Sequence, residues 1–242
     1  MQAPLLSGRI PLPSIVGYAQ SDLKSGFSAA GAQFVPVSGG GMDLCDIVPT
    51  GYNKDTYVGG SINVQSLDAS GYTVAGSKYY WYDDEDGTGW FDQSDDEVVR
   101  GDVTFAPGDA VWIQGNSTSE GLQTSGEVAA GSIDVYLRAG FKLVCNPTPV
   151  AIPFNDDNSN GKFIAPMGYG DSYVGGSINV QKLDKDGYTV AGSKFYWYDD
   201  EDGTAWFDQS DDEVVGEVLN PGEAVWVQAN SASEKLNFPS AL

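Results

Sequence analysis

One stretch of this chain is written twice. Residues Tyr57–Val99 recur as Tyr173–Val215 with five differences: Ser66/Lys182, Ala69/Lys185, Ser70/Asp186, Tyr79/Phe195 and Gly89/Ala205. Near-identical sequence over that length leaves little room for two different local folds, because a change of register would turn every side chain to the wrong face. The chain is therefore one unit duplicated within 242 residues, long enough for two cores of ordinary size. The centre of the unit is YYWYDDEDGTGWFDQSDDEVV, repeated as FYWYDDEDGTAWFDQSDDEVV.

The periodicity of the unit is that of strands. VGGSINVQSL alternates Ile62 and Val64 against Ser61, Asn63 and Gln65, the pattern of a half-buried strand. In KYYWYDD the aromatics alternate, with Tyr79 and Trp81 on one face and Tyr80 and Tyr82 on the other. DEDG supplies a turn in which Gly87 is free to take a positive φ. A Pro-Gly turn precedes AVWIQ and AVWVQ. Those strands predict Trp112 and Trp226 mostly buried, with Val111, Ile113, Val225 and Val227 on the opposite face. No long segment has a helical apolar period. Short strands with a turn signal roughly every 8–12 residues indicate a sandwich or barrel. The expected fold is all-β: two tandem β-sandwich-like domains, 26–127 and 128–242, behind an extended N-terminal arm, 1–25.

The arm carries Pro4, Pro11 and Pro13, which oppose a helix and favour an extended course. It also carries Leu5, Leu6, Ile10, Leu12 and Ile15, too apolar for a solvated tail. Such an arm lies on its own domain as an edge strand, or leaves to pair with a neighbouring subunit by strand addition. The opening MQAPLLSGRIPLP has too short an apolar core for a signal peptide and reads as a mature N-terminus behind an initiator Met.

The motif series NPTP, GGSINVQ, LDxxGYTVAG, YWYDDEDG, WFDQSDD and PGEAVWV resembles uncharacterised tandem-repeat secreted or surface proteins of bacteria. The resemblance covers most of residues 26–242. It implies export and a β-rich repeat, and carries no activity with it.

The formal charge of −22 inverts the attraction that nucleic acid or an anionic membrane would need. No apolar run approaches the roughly 18–20 residues that span a bilayer as a helix. The chain has no His, so imidazole ligands, His general bases and Ser-His or Cys-His nucleophiles are excluded. Cys45 and Cys145 fall at non-equivalent places in the two copies. They read either as two small buried residues or as one disulfide formed in an oxidising compartment.

Two candidate sites remain. The acidic hairpins hold Asp83, Asp84, Glu85, Asp86, Asp92, Asp95, Asp96 and Glu97, and again Asp199, Asp200, Glu201, Asp202, Asp208, Asp211, Asp212 and Glu213. So many carboxylates repel one another unless they are solvated or share a cation. Ca²⁺, which takes six to eight oxygens, suits such turns, although the spacing is not that of an EF-hand. Acids in tight turns make a poor glycosidase acid and base pair. The second candidate is aromatic: Tyr80, Tyr82, Tyr196 and Tyr198, if exposed, would stack on a glycan. The expectation is a non-enzymatic extracellular or cell-surface structural protein that self-assembles into a fibre or layer through the arm and module contacts. The alternative is a glycan-binding module, with Ca²⁺ as a structural aid.

Overall fold

The computed structural model describes residues 16–23, 25–31, 41–52, 62–70, 72–83, 87–94, 96–156, 161–169, 178–184, 189–199, 203–208 and 216–242. Among these the chain is all-β, with one 3₁₀ turn at Leu44–Asp46 and no α-helix. The first copy contributes β1 (Val16–Asp22), β2 (Gly26–Gly31), β3 (Met42–Asp43), β4 (Val48–Thr50) and β5 (Ile62–Leu67). It continues with β6 (Thr73–Asp83), β7 (Gly87–Phe91), β8 (Thr104–Phe105), β9 (Ala110–Gly115) and β10 (Gly121–Glu127). The second contributes β11 (Ile133–Tyr136), β12 (Gly140–Cys145), β13 (Ile152–Pro153), β14 (Ala165–Met167) and β15 (Ile178–Leu183). It ends with β16 (Thr189–Asp199), β17 (Gly203–Asp208), β18 (Val218–Leu219), β19 (Ala224–Ala229) and β20 (Lys235–Phe238).

The strands form small antiparallel sheets, and each sheet occurs twice. The orders β2-β9-β5-β6-β7, β1-β10-β4 and β3-β8 recur as β12-β19-β15-β16-β17, β11-β20-β14 and β13-β18. The duplication thus extends beyond the near-identical block into segments whose sequences have diverged. Pairing explains how. Gln20 faces Gln123 in the first copy, and Asp134 faces Asn237 in the second, in the same place and register. The side chains changed while the ladder of backbone bonds did not.

Val16–Asp22, expected within the arm, is strand β1, paired along its whole length with β10. It occupies in the first copy the place that β11 occupies in the second. Leu23 and Leu137 follow as equivalent buried residues, each with its N–H donated to a carbonyl next to β10 or β20, Glu120 O and Glu234 O. Residues 1–15 lie outside the described residues.

Each copy has its own apolar cluster. In the first, Ile62, Val64, Trp90, Val111 and Ile113 of the five-stranded sheet meet Met42, Phe105 and Leu122 of the smaller sheets. In the second, Ile178, Val180, Trp206, Val225 and Val227 meet Ile152, Leu219, Leu236 and Phe238. The central indoles are almost fully buried, Trp90 at 2 % and Trp206 at 0 % exposure. Their N–H groups are satisfied by Ile47 O at 3.0 Å and Ile164 O at 2.8 Å. A buried Trp needs such a partner. The neighbouring Trp81 and Trp197, which meet them edge-on at 5.4 and 5.5 Å, have no acceptor for theirs among the described residues.

The first core is the looser. Ala30 and Gly31 stand where the second copy has Val144 and Cys145, and a void of about 30 Å³ opens beside Ala30, Gly31 and Val111.

The copies meet along β2 and β12. Ala30 bridges Glu223, and the equivalent Val144 bridges Asp109 in the equivalent direction. This reciprocity is that of a pseudo-twofold axis, an internal version of an isologous dimer contact. Gly31 and Cys145 are equivalents that face each other at the axis. A Cβ on Gly31 would sit 2.3 Å from Cys145 Sγ and 2.4 Å from Asp109 O. Only one of the two positions can carry a side chain, which is why the copies differ there. Further bonds cross the seam: Cys145 N–H to Gly108 O at 2.9 Å, Phe141 N–H to Ala69 O at 3.0 Å, and Arg138 Nη2 to Leu67 O at 2.8 Å.

Candidate functional site

The acidic turns are built first by their own backbone. Asp92 Oδ1 accepts the N–H groups of Ser94 at 2.7 Å and Asp96 at 3.3 Å, and Asp92 N–H donates to Asp96 O at 3.0 Å. Asp68 Oδ1 does the same for Ser70 and Tyr72. These are Asx turns, in which the carboxylate closes the loop. At least one lone pair of Asp92 is thereby committed to holding the turn. Asp83 and Asp199 end β6 and β16, and Asp208 ends β17. Asp96 and Glu97 are exposed. Among the described residues no three acidic, Cys or His side chains converge on one point. Asp84, Glu85, Asp86 and Asp95 lie outside the described residues, as do Asp200, Glu201, Asp202, Asp211, Asp212 and Glu213.

The exposed tyrosine face of the alternative reading is not found at Tyr80 and Tyr196. Tyr80 and Tyr196 are buried, stacked on Phe91 at 5.7 Å and on Phe207 at 5.9 Å. Tyr82 departs from strict alternation. It sits in a β-bulge, with φ of 78° and the β6–β7 register shifting between Trp81 and Asp83. A non-glycine residue there is strained. The bulge lets one ring, Tyr52, contact both Trp81 at 6.1 Å and Tyr82 at 6.5 Å. Tyr198 belongs to β16.

The half-exposed aromatics are elsewhere, on the outward face of the five-stranded sheets. Val111 and Ile113 turn into the core at 6 and 1 % exposure, so Trp112 points out. Trp112 and Trp226 lie opposite the Val and Ile residues as expected, but they are half-buried rather than mostly buried. Each packs on a phenylalanine of the neighbouring strand: Phe27 at 6.0 Å and Phe141 at 5.9 Å. Asn63, Gln65 and Gln114 share that face in the first copy, and Asn179, Gln181 and Gln228 share it in the second. Periodicity placed Trp112 on the side opposite Val111, and the amides alternating with Ile62 and Val64 were the signal that this side is polar.

Strand β1 is an edge of its sheet among the described residues. Its outward residues Val16 and Tyr18 are 67 and 62 % exposed. On the equivalent edge, β11, Tyr136 is exposed, and Asp134, which stands where β1 has Gln20, is bound by Lys235 Nζ and by Asn237 Nδ2 at 2.7 Å. Those donors hold the Asp134 carboxyl below the usual carboxylate range, Lys235 contributing most.

Both cysteines are free thiols, so the disulfide is not formed. Cys145 is fully buried, and the loss of solvation pushes its ionisation far up. Burial, and then Asp43 beside it, raise that of Cys45. Neither is an activated nucleophile, since the thiolate is the reactive form.

Two clefts flank the seam, related by the same pseudo-twofold. One, of about 260 Å³, has Arg138 and Lys142 in its wall, with Lys142 Nζ 2.7 Å from Asp109 Oδ1. The other, of about 510 Å³, has Ser28 in the place of Lys142 and Glu223 in the place of Asp109, with Asp22 and Asp184 also in its wall. The described wall of the second cleft is therefore the more acidic of the two. No family model, curated protein or solved structure matches the chain.

Proposed function

We propose that the protein is a non-enzymatic structural subunit that acts outside the cell or at its surface and assembles with copies of itself. In this reading the two repeats are sandwich-like domains, each with a five-stranded sheet packed on the smaller ones. The observation that carries the reading is the edge strand β1. Soluble proteins guard their sheet edges with charge, proline or cover. Strand β11 has Asp134 held by Lys235 of β20 beside its exposed Tyr136, whereas β1 has the exposed Val16 and Tyr18 ahead of Asp22 and follows, in sequence, the apolar residues Leu5, Leu6, Ile10, Leu12 and Ile15. An edge that is apolar at its outer end and follows an apolar stretch of sequence is suited to strand addition between chains. The clefts of unequal charge at the seam would favour head-to-tail contacts, which extend rather than close.

The oxygen-rich acidic hairpins suit Ca²⁺ better than any other common cation, and Ca²⁺ is the ion this reading assigns them. The test of the whole is to place a charge on the edge. Tyr18→Lys should leave the fold intact by circular dichroism and reduce the assembled fraction in sedimentation and light scattering. Unchanged assembly by a folded Tyr18→Lys protein would remove β1 from the contact.

A further inference from the structure

We infer that the outward faces of the two five-stranded sheets are a duplicated binding site for an uncharged pyranose chain. The rings would be Phe27 and Trp112 in the first copy, and Phe141 and Trp226 in the second. The polar groups would be the amides of Asn63, Gln65 and Gln114, and of Asn179, Gln181 and Gln228.

Three observations carry this. The first is the chemistry of the face. The indole of Trp112 leans on the Phe27 ring at 6.0 Å, Phe27 is 37 % exposed, and the neighbouring positions across the sheet are primary amides. A pyranose ring has an apolar C–H face and a rim of hydroxyls, each both donor and acceptor. An amide offers both donors and an acceptor, and an aromatic ring offers the apolar floor. Adjacent strands step these groups by about 4.8 Å, a spacing on the scale of one sugar ring.

The second is an unmet need. Asn63 is 8 % exposed, and its Oδ1 has no hydrogen-bond partner among the described residues. Such an orphaned acceptor is costly unless a ligand supplies the donor.

The third is what the two copies kept. In β2 and β12, GFSAAG and GFKLVC, the outward Phe is retained while the inward Ser28 and Ala30 became Lys142 and Val144. In β9 and β19 the outward Trp and Gln are retained while the inward Ile113 became Val227. Outward positions normally drift faster than inward ones. In these four strands the outward positions that do differ, Ala29/Leu143 and Gly31/Cys145, lie toward the seam, where the axis forces asymmetry. The chain's charge of −22 selects an uncharged ligand over an acidic polysaccharide.

The test is a titration of the full chain with cellohexaose, mannohexaose and chitohexaose, read by indole fluorescence and calorimetry, with polygalacturonate as the acidic control. At least one neutral hexamer should bind with a stoichiometry of two. Trp226→Ala should reduce that to one. Trp112→Ala with Trp226→Ala should abolish binding, and Gln114→Ala should weaken the first site about tenfold while leaving the melting curve in place. The inference fails if no neutral hexamer binds at millimolar concentration, if only polygalacturonate binds, or if the folded double Trp variant binds as the parent does. Self-assembly is read separately, so failure here leaves the β1 reading standing.

Discussion

Replacing Gly31 by Ala puts the seam between the repeats under direct load. The added Cβ would lie 2.3 Å from Cys145 Sγ, 2.8 Å from Cys145 Cβ and 2.4 Å from Asp109 O. Ordinary carbon contacts lie near 3.5–4.0 Å, so more than an ångström must be recovered. The oxygen belongs to backbone beside a bridged residue pair, Asp109 and Val144, and cannot rotate away. Overpacking of this kind costs about 1–3 kcal/mol, and the rigid partner argues for the upper part of that range. For a chain of this size, 2–3 kcal/mol lowers the melting temperature by about 4–12 °C. Urea and thermal melts followed by tryptophan fluorescence measure it. Gly131→Ala is the matched control, because nothing lies within 4 Å of its added Cβ. Adding Cys145→Gly to Gly31→Ala should recover part of the loss, since two of the three clashing atoms go and Asp109 O stays. If Gly31→Ala melts with Gly131→Ala, the copies do not meet at this residue and the pseudo-twofold seam is refuted.

Three other outcomes are expected. Ala30→Val, which copies Val144 into the void of the first core, should stabilise by about 1–1.5 kcal/mol for two added methyl groups; a lower urea midpoint would show the void to be closed. The Asp134–Lys235 pair should contribute stability that is full above the usual carboxylate range and fades as pH falls through it to the lowered native value; Asp134→Asn should therefore cost stability at pH 7 and progressively less as the pH falls below the carboxylate range, and a cost independent of pH would contradict the assignment. Ca²⁺ at a hundredfold excess over its dissociation constant should stabilise by about 2.7 kcal/mol, and flat melting curves across a Ca²⁺ titration would return the acidic turns to loop closure alone.

The legible parts of this fold are those set by local pattern. Alternation in INVQ set Ile62 and Val64 apart from the polar residues, and alternation in AVWIQ set Val111 and Ile113 opposite Trp112; all four are buried. The bulge at Tyr82 was not legible, because one extra residue in a strand leaves composition unchanged while turning the next side chain to the other face. Strand β1 was hidden for a related reason. Its inward Ala19 is too small to mark an apolar period, so Val16–Asp22 read as the end of the arm. The Gly31–Cys145 contact depends on how two distant edges meet, which no local pattern encodes. An exposed face of Tyr80, Tyr82, Tyr196 and Tyr198 stayed open as an alternative because alternation says which face a ring takes and not what covers it; Tyr80 and Tyr196 are stacked on phenylalanines of the next strand. Trp112 and Trp226 erred the other way, toward burial.

On the proposed function, copies of this chain join through strand β1 and the residues that precede it. Negative-stain electron microscopy of the purified full chain, beside a variant lacking residues 2–15, tests it most directly. The full chain should form extended head-to-tail assemblies, and the truncated variant should remain as separate particles with the same circular dichroism and melting behaviour. A full chain that stays monomeric across the concentration range, or a truncated variant that assembles as the full chain does, would contradict the account.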